Sequence, residues 1–167
     1  MQDNIIVKPS VEKQFDRFLR QGRVLFFSAP CGFGKTAVAE ALLSGREVLR
    51  LSADSADFSL PSAEADWQIL LLDDLQDMQE EQDWNALCEL IRACPERRFV
   101  LLSRGTPPGS LMAFQYTGLM TVLEADDLLF DADDVRRLLR LYGVEAADSE
   151  IDGILKESVG YPLGVAI

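Results

Sequence analysis

Apolar residues along this chain fall into two patterns that alternate. Val24-Leu25-Phe26-Phe27, Ile69-Leu70-Leu71-Leu72 and Phe99-Val100-Leu101-Leu102 are short runs without a polar interruption. A strand buried on both faces of a parallel sheet reads this way, whereas a half-exposed strand alternates. Strands are expected at residues 23–28, 47–52, 67–73, 98–103 and 119–123. Between them the apolar positions recur at helical spacing. Val11, Phe15, Phe18 and Leu19 share one face of residues 11–19, and Ala37 to Leu43 continues to Gly45, a helix-terminating glycine. Trp84, Leu87, Leu90 and Ile91 form the stripe of a helix over 80–94, with Pro95 just beyond it. Residues 53–66 are small, polar and proline-punctuated, and read as loop. Strands alternating with helices imply right-handed crossovers and a parallel sheet.

After Glu124 only the helical period remains. Asp131 opens one helix, with Asp134 at its third position and Val135, Leu138, Leu139 and Tyr142 as its stripe. Ser149 opens another, with Ile151, Ile154, Leu155 and Val159 inward, before Gly160-Tyr161-Pro162 breaks and restarts the chain. The division expected is an α/β domain over 1–124 and a small all-helical subdomain over 125–167. Since the sequence stops inside a helical pattern, the second part is expected to be truncated and the chain to come from a longer protein.

Composition narrows the chemistry. With 167 residues, 48% of them hydrophobic and 26% charged, the chain can bury one good core as a soluble protein. No apolar stretch nears the ~20 residues that span a bilayer, and no signal peptide is evident at the N-terminus, so no membrane association and a cytoplasmic location are expected. Three cysteines and no histidine exclude a disulfide framework, histidine-dependent triads and imidazole metal sites within this chain. A net charge of −12 repels phosphate backbones, so this segment is not expected to bind DNA itself. The acids clustered over 124–134 are read mainly as helix caps and a solvated face.

Two motifs carry the candidate chemistry. Ala29-Pro30-Cys31-Gly32-Phe33-Gly34-Lys35-Thr36 has the spacing of a phosphate-binding P-loop, opening with alanine in place of glycine, and it lies between an expected strand and an expected helix. Gly32 and Gly34 let successive N–H groups converge, and the helix N-terminus adds partial positive charge. Lys35 would reach the β- and γ-phosphates of ATP or ADP, and Thr36 would offer its hydroxyl to Mg²⁺. The second motif, Leu70-Leu71-Leu72-Asp73-Asp74, is a buried strand ending in two carboxylates at the strand end where open α/β sheets bind ligands. Asp73 is placed to hold Mg²⁺ through water, and Asp74 to orient or activate the attacking water. The fold expected is therefore that of a P-loop NTPase: three layers, α/β/α, around a parallel sheet.

With Phe99-Val100-Leu101-Leu102-Ser103-Arg104 added, these motifs resemble the STAND group of P-loop ATPases (signal-transduction ATPases with numerous domains). They are most similar to the nucleotide-binding region of MalT-like, LuxR-type transcription activators. The resemblance covers nearly the whole chain, most strongly residues 24–104. It implies that Arg104 touches the γ-phosphate, that Pro162 packs near the adenine, and that the helices after Leu129-Phe130 form a lid. The family's longer helical insert between the second and third strands is reduced here to residues 53–66. The resemblance further implies a switch that hydrolyses ATP slowly, self-association of the full-length protein, and DNA binding only through a domain absent from this chain.

Two other classes stay open. An AAA+ motor or loader usually ends its strand in Asp-Glu, where this chain has Asp73-Asp74. A small-molecule kinase would need mobile lid arginines such as Arg136, Arg137 and Arg140. A transporter ATPase is disfavoured, because Leu43-Ser44-Gly45, its only hint of a signature loop, precedes the second strand.

Overall fold

The computed structural model describes residues 5–158 and residue 160. Its centre is a five-stranded parallel sheet of β1 (Val24–Ser28), β2 (Val48–Ser52), β3 (Ile69–Asp73), β4 (Arg98–Ser103) and β5 (Met120–Glu124), in the order β2-β3-β4-β1-β5. The three inner strands, β3, β4 and β1, are buried on both faces over most of their length, as uninterrupted apolar runs require. Alternate residues divide between two cores. Leu25, Phe27, Leu71 and Leu102 meet α1 (Pro9–Gln21) through Val11, Phe15 and Phe18, and α2 (Lys35–Leu42) through Val38 and Ala39. Phe26, Leu70, Leu72 and Leu101 face the other way, onto Trp84, Leu87 and Ile91 of α3 (Glu81–Ala93) and Phe114 of α4 (Met112–Tyr116). The result is the expected three-layer α/β/α fold.

Two features missed from the sequence lie between β4 and β5: a 3₁₀ turn over Gly109–Leu111 and the short α4. Segment 53–66 carries no helix or strand. It still covers the sheet next to edge strand β2, because Ala53, Phe58, Leu60 and Ala63 pack on the α3-side core.

The helical part comprises α5 (Ala125–Leu128), α6 (Ala132–Leu141) and α7 (Asp148–Ser158). Its acids act as caps. Asp131 Oδ1 accepts from the Asp134 N–H at 2.9 Å and Asp134 Oδ2 from the Asp131 N–H at 3.0 Å, while Asp127 Oδ2 accepts from the Glu124 N–H at 2.7 Å. Asp134 is buried and paired with Lys8 Nζ at 2.9 Å, which ties α6 to the segment before α1. Val135, Leu138 and Ile151 are buried as expected, but Tyr142 is 63% exposed. The α-helix ends at Leu141 and Gly143 follows with φ 73°, so the turn carries Tyr142 off the stripe. Gly160 marks the expected break at φ 73°. Val159, Tyr161 and Pro162 lie outside the described residues.

Candidate active site

The sheet register aligns the strand ends that build the site. Ser28 pairs with Ser103 on one side and Glu124 on the other, and Ser52 pairs with Asp73. The chain leaves β1 at Ser28 into the glycine loop, whose first N–H, that of Ala29, donates to Ser103 O at 3.2 Å. Gly32 (φ 88°) and Gly34 (φ 75°) both take left-handed backbone, which a side chain disfavours. Gly34 leads directly into α2, whose N-terminus has no side-chain cap and no acid in its first turn. Uncapped N–H groups at a helix start form an anion site, and no carboxylate in the first turn competes for it.

Lys35 is folded back over the loop, where Nζ donates to Ala29 O at 2.5 Å and Pro30 O at 3.1 Å. The residue is only 9% exposed. Burial pushes its pKa below the usual lysine range and Arg104 adds to this, while Cys31, Asp73 and Asp74 oppose it. Phe33 turns towards the α1–α2 core and is half-buried there.

Thr36 Oγ1 donates to Asp73 Oδ2 at 2.8 Å, joining the first turn of α2 to the end of β3 across 37 residues of sequence. The other Asp73 oxygen accepts from the Asp74 N–H at 2.7 Å. A hydroxyl and a carboxylate side by side, with no nitrogen or sulfur ligand between them, form the hard oxygen set that suits Mg²⁺ completed by water and phosphate oxygens.

Asp74 is the one non-glycine residue with positive φ among those described, at φ 57°, ψ 37°. Aspartate tolerates this region better than most residues. The turn aims its carboxylate at the end of β2, where Oδ2 lies 2.8 Å from Ser52 Oγ and shares that hydroxyl's single proton with Asp54 Oδ1 at 2.7 Å. Asp74 Oδ1 accepts from Gln76 Nε2 at 3.3 Å, and Gln76 Oε1 accepts in turn from the Arg104 N–H at 3.2 Å. Arg104 is exposed at the end of β4, whereas Ser103 before it is buried and accepts from the Gly105 N–H.

These groups share one cleft of about 310 Å³. Cys31, Gly32, Gly34, Lys35 and Thr36 form its loop side, and Asp73, Asp74 and Arg104 its sheet side. Ala29 and Pro30 enter through their carbonyls, and Pro162 lies outside the described residues. Ser52 and Gln76 were not found from the sequence. Each lies outside the motifs, and each reaches Asp74 only through the strand order and the left-handed turn.

This is the fold of the P-loop ATPases. A Walker-type ATPase of Pyrococcus abyssi superposes with a TM-score of 0.64 at 13% identity, over 98% of this chain and 67% of that one. A RuvB of Thermotoga maritima, in a single-substitution form, gives 0.62 at 17%, over 96% of this chain, which spans 59% of RuvB. A STAND protein with a tetratricopeptide-repeat sensor from Pyrococcus horikoshii gives 0.63 at 10%, over 99% of this chain and 30% of its own. No family model matches the sequence, and no curated protein does. No helix among the described residues is long and apolar enough to cross a membrane.

Proposed function

We propose that this chain is the ATP/ADP-binding switch domain, a slow ATPase at most, of a cytoplasmic signal-transduction ATPase, and that the parent protein is a LuxR-type transcriptional regulator. The observation that carries the nucleotide reading is the Thr36–Asp73 hydrogen bond, which brings the two motifs to one point. In this reading the 29–36 loop cradles the phosphates and Lys35 exchanges its loop carbonyls for β- and γ-phosphate oxygens. Thr36 and Asp73 hold Mg²⁺, which supplies charge neutralisation on the phosphates. Asp74 orients the attacking water, Arg104 contacts the γ-phosphate, and Pro162 packs near the adenine. Residues 1–124 form the nucleotide-binding domain and 125–167 part of its lid. Self-association and DNA contact belong to the full-length protein.

The likeness to RuvB keeps an AAA+ motor as the second reading. The kinase reading loses ground, since Arg136 is paired with Asp133 and Asp148, and Arg137 donates to Val7 O. Calorimetry with ADP–Mg²⁺ and a non-hydrolysable ATP analogue tests the site. Lys35→Ala should abolish binding of both. Arg104→Ala should leave ADP affinity nearly intact and weaken the analogue by ~1.5–3 kcal/mol, the range for a hydrogen bond to a charged group. Lys35→Ala affinities within about twofold of the parent would refute the P-loop reading, and equal effects of Arg104→Ala on both ligands would refute the γ-phosphate contact. Tight ADP retention supports the switch; rapid turnover supports the motor.

A further inference from the structure

We propose that Gln76 is a positioning residue that ties Arg104 to Asp74, so that the group assigned to the γ-phosphate and the group assigned to the attacking water are held as one unit. The inference rests on the reading of the cleft as an ATP site. The backbone ladder between β3 and β4 runs from Ile69↔Arg98 to Leu72↔Leu101 and stops there. Asp73, Asp74, Ser103 and Arg104 all lie beyond it, at the part of the sheet where the chemistry falls. The Gln76 side chain spans that gap, giving its amide N–H to Asp74 Oδ1 and taking the Arg104 N–H on its oxygen, 28 residues away in sequence.

Both ends require the same amide orientation. A backbone N–H can only donate, so the Gln76 oxygen must face it, and a carboxylate can only accept, so the amide nitrogen must face Asp74. The flipped amide would meet repulsion at both ends. At 3.2 and 3.3 Å neither bond is short; what the bridge supplies is orientation. With the backbone at residue 104 held, the point from which the Arg104 side chain reaches a phosphate is fixed, so less backbone freedom is left to lose on binding. The same amide helps to hold the Asp74 carboxylate, whose other oxygen is held by Ser52. Gln76 lies on the 3₁₀ turn Leu75–Asp77 and is brought back towards β4 by the left-handed backbone of Asp74.

The test is a double-mutant cycle read in binding. Affinities for ADP–Mg²⁺ and for a non-hydrolysable ATP analogue are measured on the parent, Gln76→Ala, Arg104→Ala and the double variant. Gln76→Ala should keep ADP affinity within about twofold and weaken the analogue about three- to tenfold, the range of one ordinary net hydrogen bond. In the Arg104→Ala background the same substitution should have no further effect. Gln76→Met, which keeps the length without the amide, should behave like Gln76→Ala. The proposal is overturned if the two losses add, if ADP and the analogue weaken together, if Gln76→Ala changes nothing, or if Gln76→Met keeps the parent's selectivity. A parent that binds neither nucleotide refutes the site reading itself, which separates that failure from one confined to Gln76.

Discussion

An ammonium withdrawn from water is held in the charged form less firmly than a solvated one, and Lys35, buried beneath the glycine loop, is in that position. A phosphate arriving at the loop would restore a full counter-charge and raise its pKa again. The protonated form is therefore the binding form. ADP affinity should fall as pH rises through the lowered Lys35 pKa, earlier than an ordinary lysine would allow. Titrations in buffers of different ionisation enthalpy check this. Proton uptake on binding is expected in the alkaline range; proton release would overturn it. Without nucleotide the sign reverses. The unfolded chain then binds more protons than the folded one between the folded and unfolded Lys35 pKa values, so this residue makes the fold gain stability as pH rises through that window. The Lys35 motif was legible from spacing alone. Its resting partners were not, because they are the carbonyls of a loop whose path depends on two left-handed glycines.

Among the helices, α5 and α6 are fixed at their starts by acidic caps. The ten-residue α6 begins in a reciprocal cap, with Asp131 and Asp134 each accepting from the other's N–H. Asp131→Ala should cost about 1 kcal/mol at neutral pH, the usual loss for an acidic N-cap. The backbone N–H of Asp134, and after it Lys8, hold the Asp131 carboxyl below its usual range. For a depressed carboxyl the stabilisation is complete above the unfolded pKa and is lost as pH falls through the folded one. The stability difference between parent and variant, from denaturant melts, should therefore close on acidification, and a gap that stays constant down to low pH would rule out the cap. Asp131 and Asp134 were expected at this helix start because the local signal and the observed role coincide. Tyr142 was misplaced because a helical stripe gives no warning of the turn that ends it.

At the scale of the whole molecule, the candidate site joins the start of α2, the end of β3 and the end of β4. A ligand gripping all three binds the folded chain and not the unfolded one. ADP–Mg²⁺ at roughly a hundredfold excess over its Kd should add about 2.7 kcal/mol. For a domain of this size that is about 5–10 °C in Tm, at ~2–4 °C per kcal/mol. Asp73→Asn should lose the magnesium-dependent part of the shift and keep most of what ADP gives without metal. A variant shift equal to the parent's in magnesium would remove Asp73 from the metal.

Local order by itself determined the strand runs, the helix stripes, the left-handed glycines and the Lys35-Thr36 and Asp73-Asp74 pairs. Each of these depends on neighbours within a turn or a strand's length. The alternation of strands and helices also determined that the sheet is parallel, since crossovers have one hand. It did not determine the order of the strands. Only the tertiary structure set β4 between β1 and β3, which brings the Arg104 N–H onto the Gln76 amide, and only it set Ser52 on the Asp74 carboxylate. Such contacts join residues tens of positions apart and leave no periodic trace, because one buried apolar strand reads like another until packing chooses its neighbours.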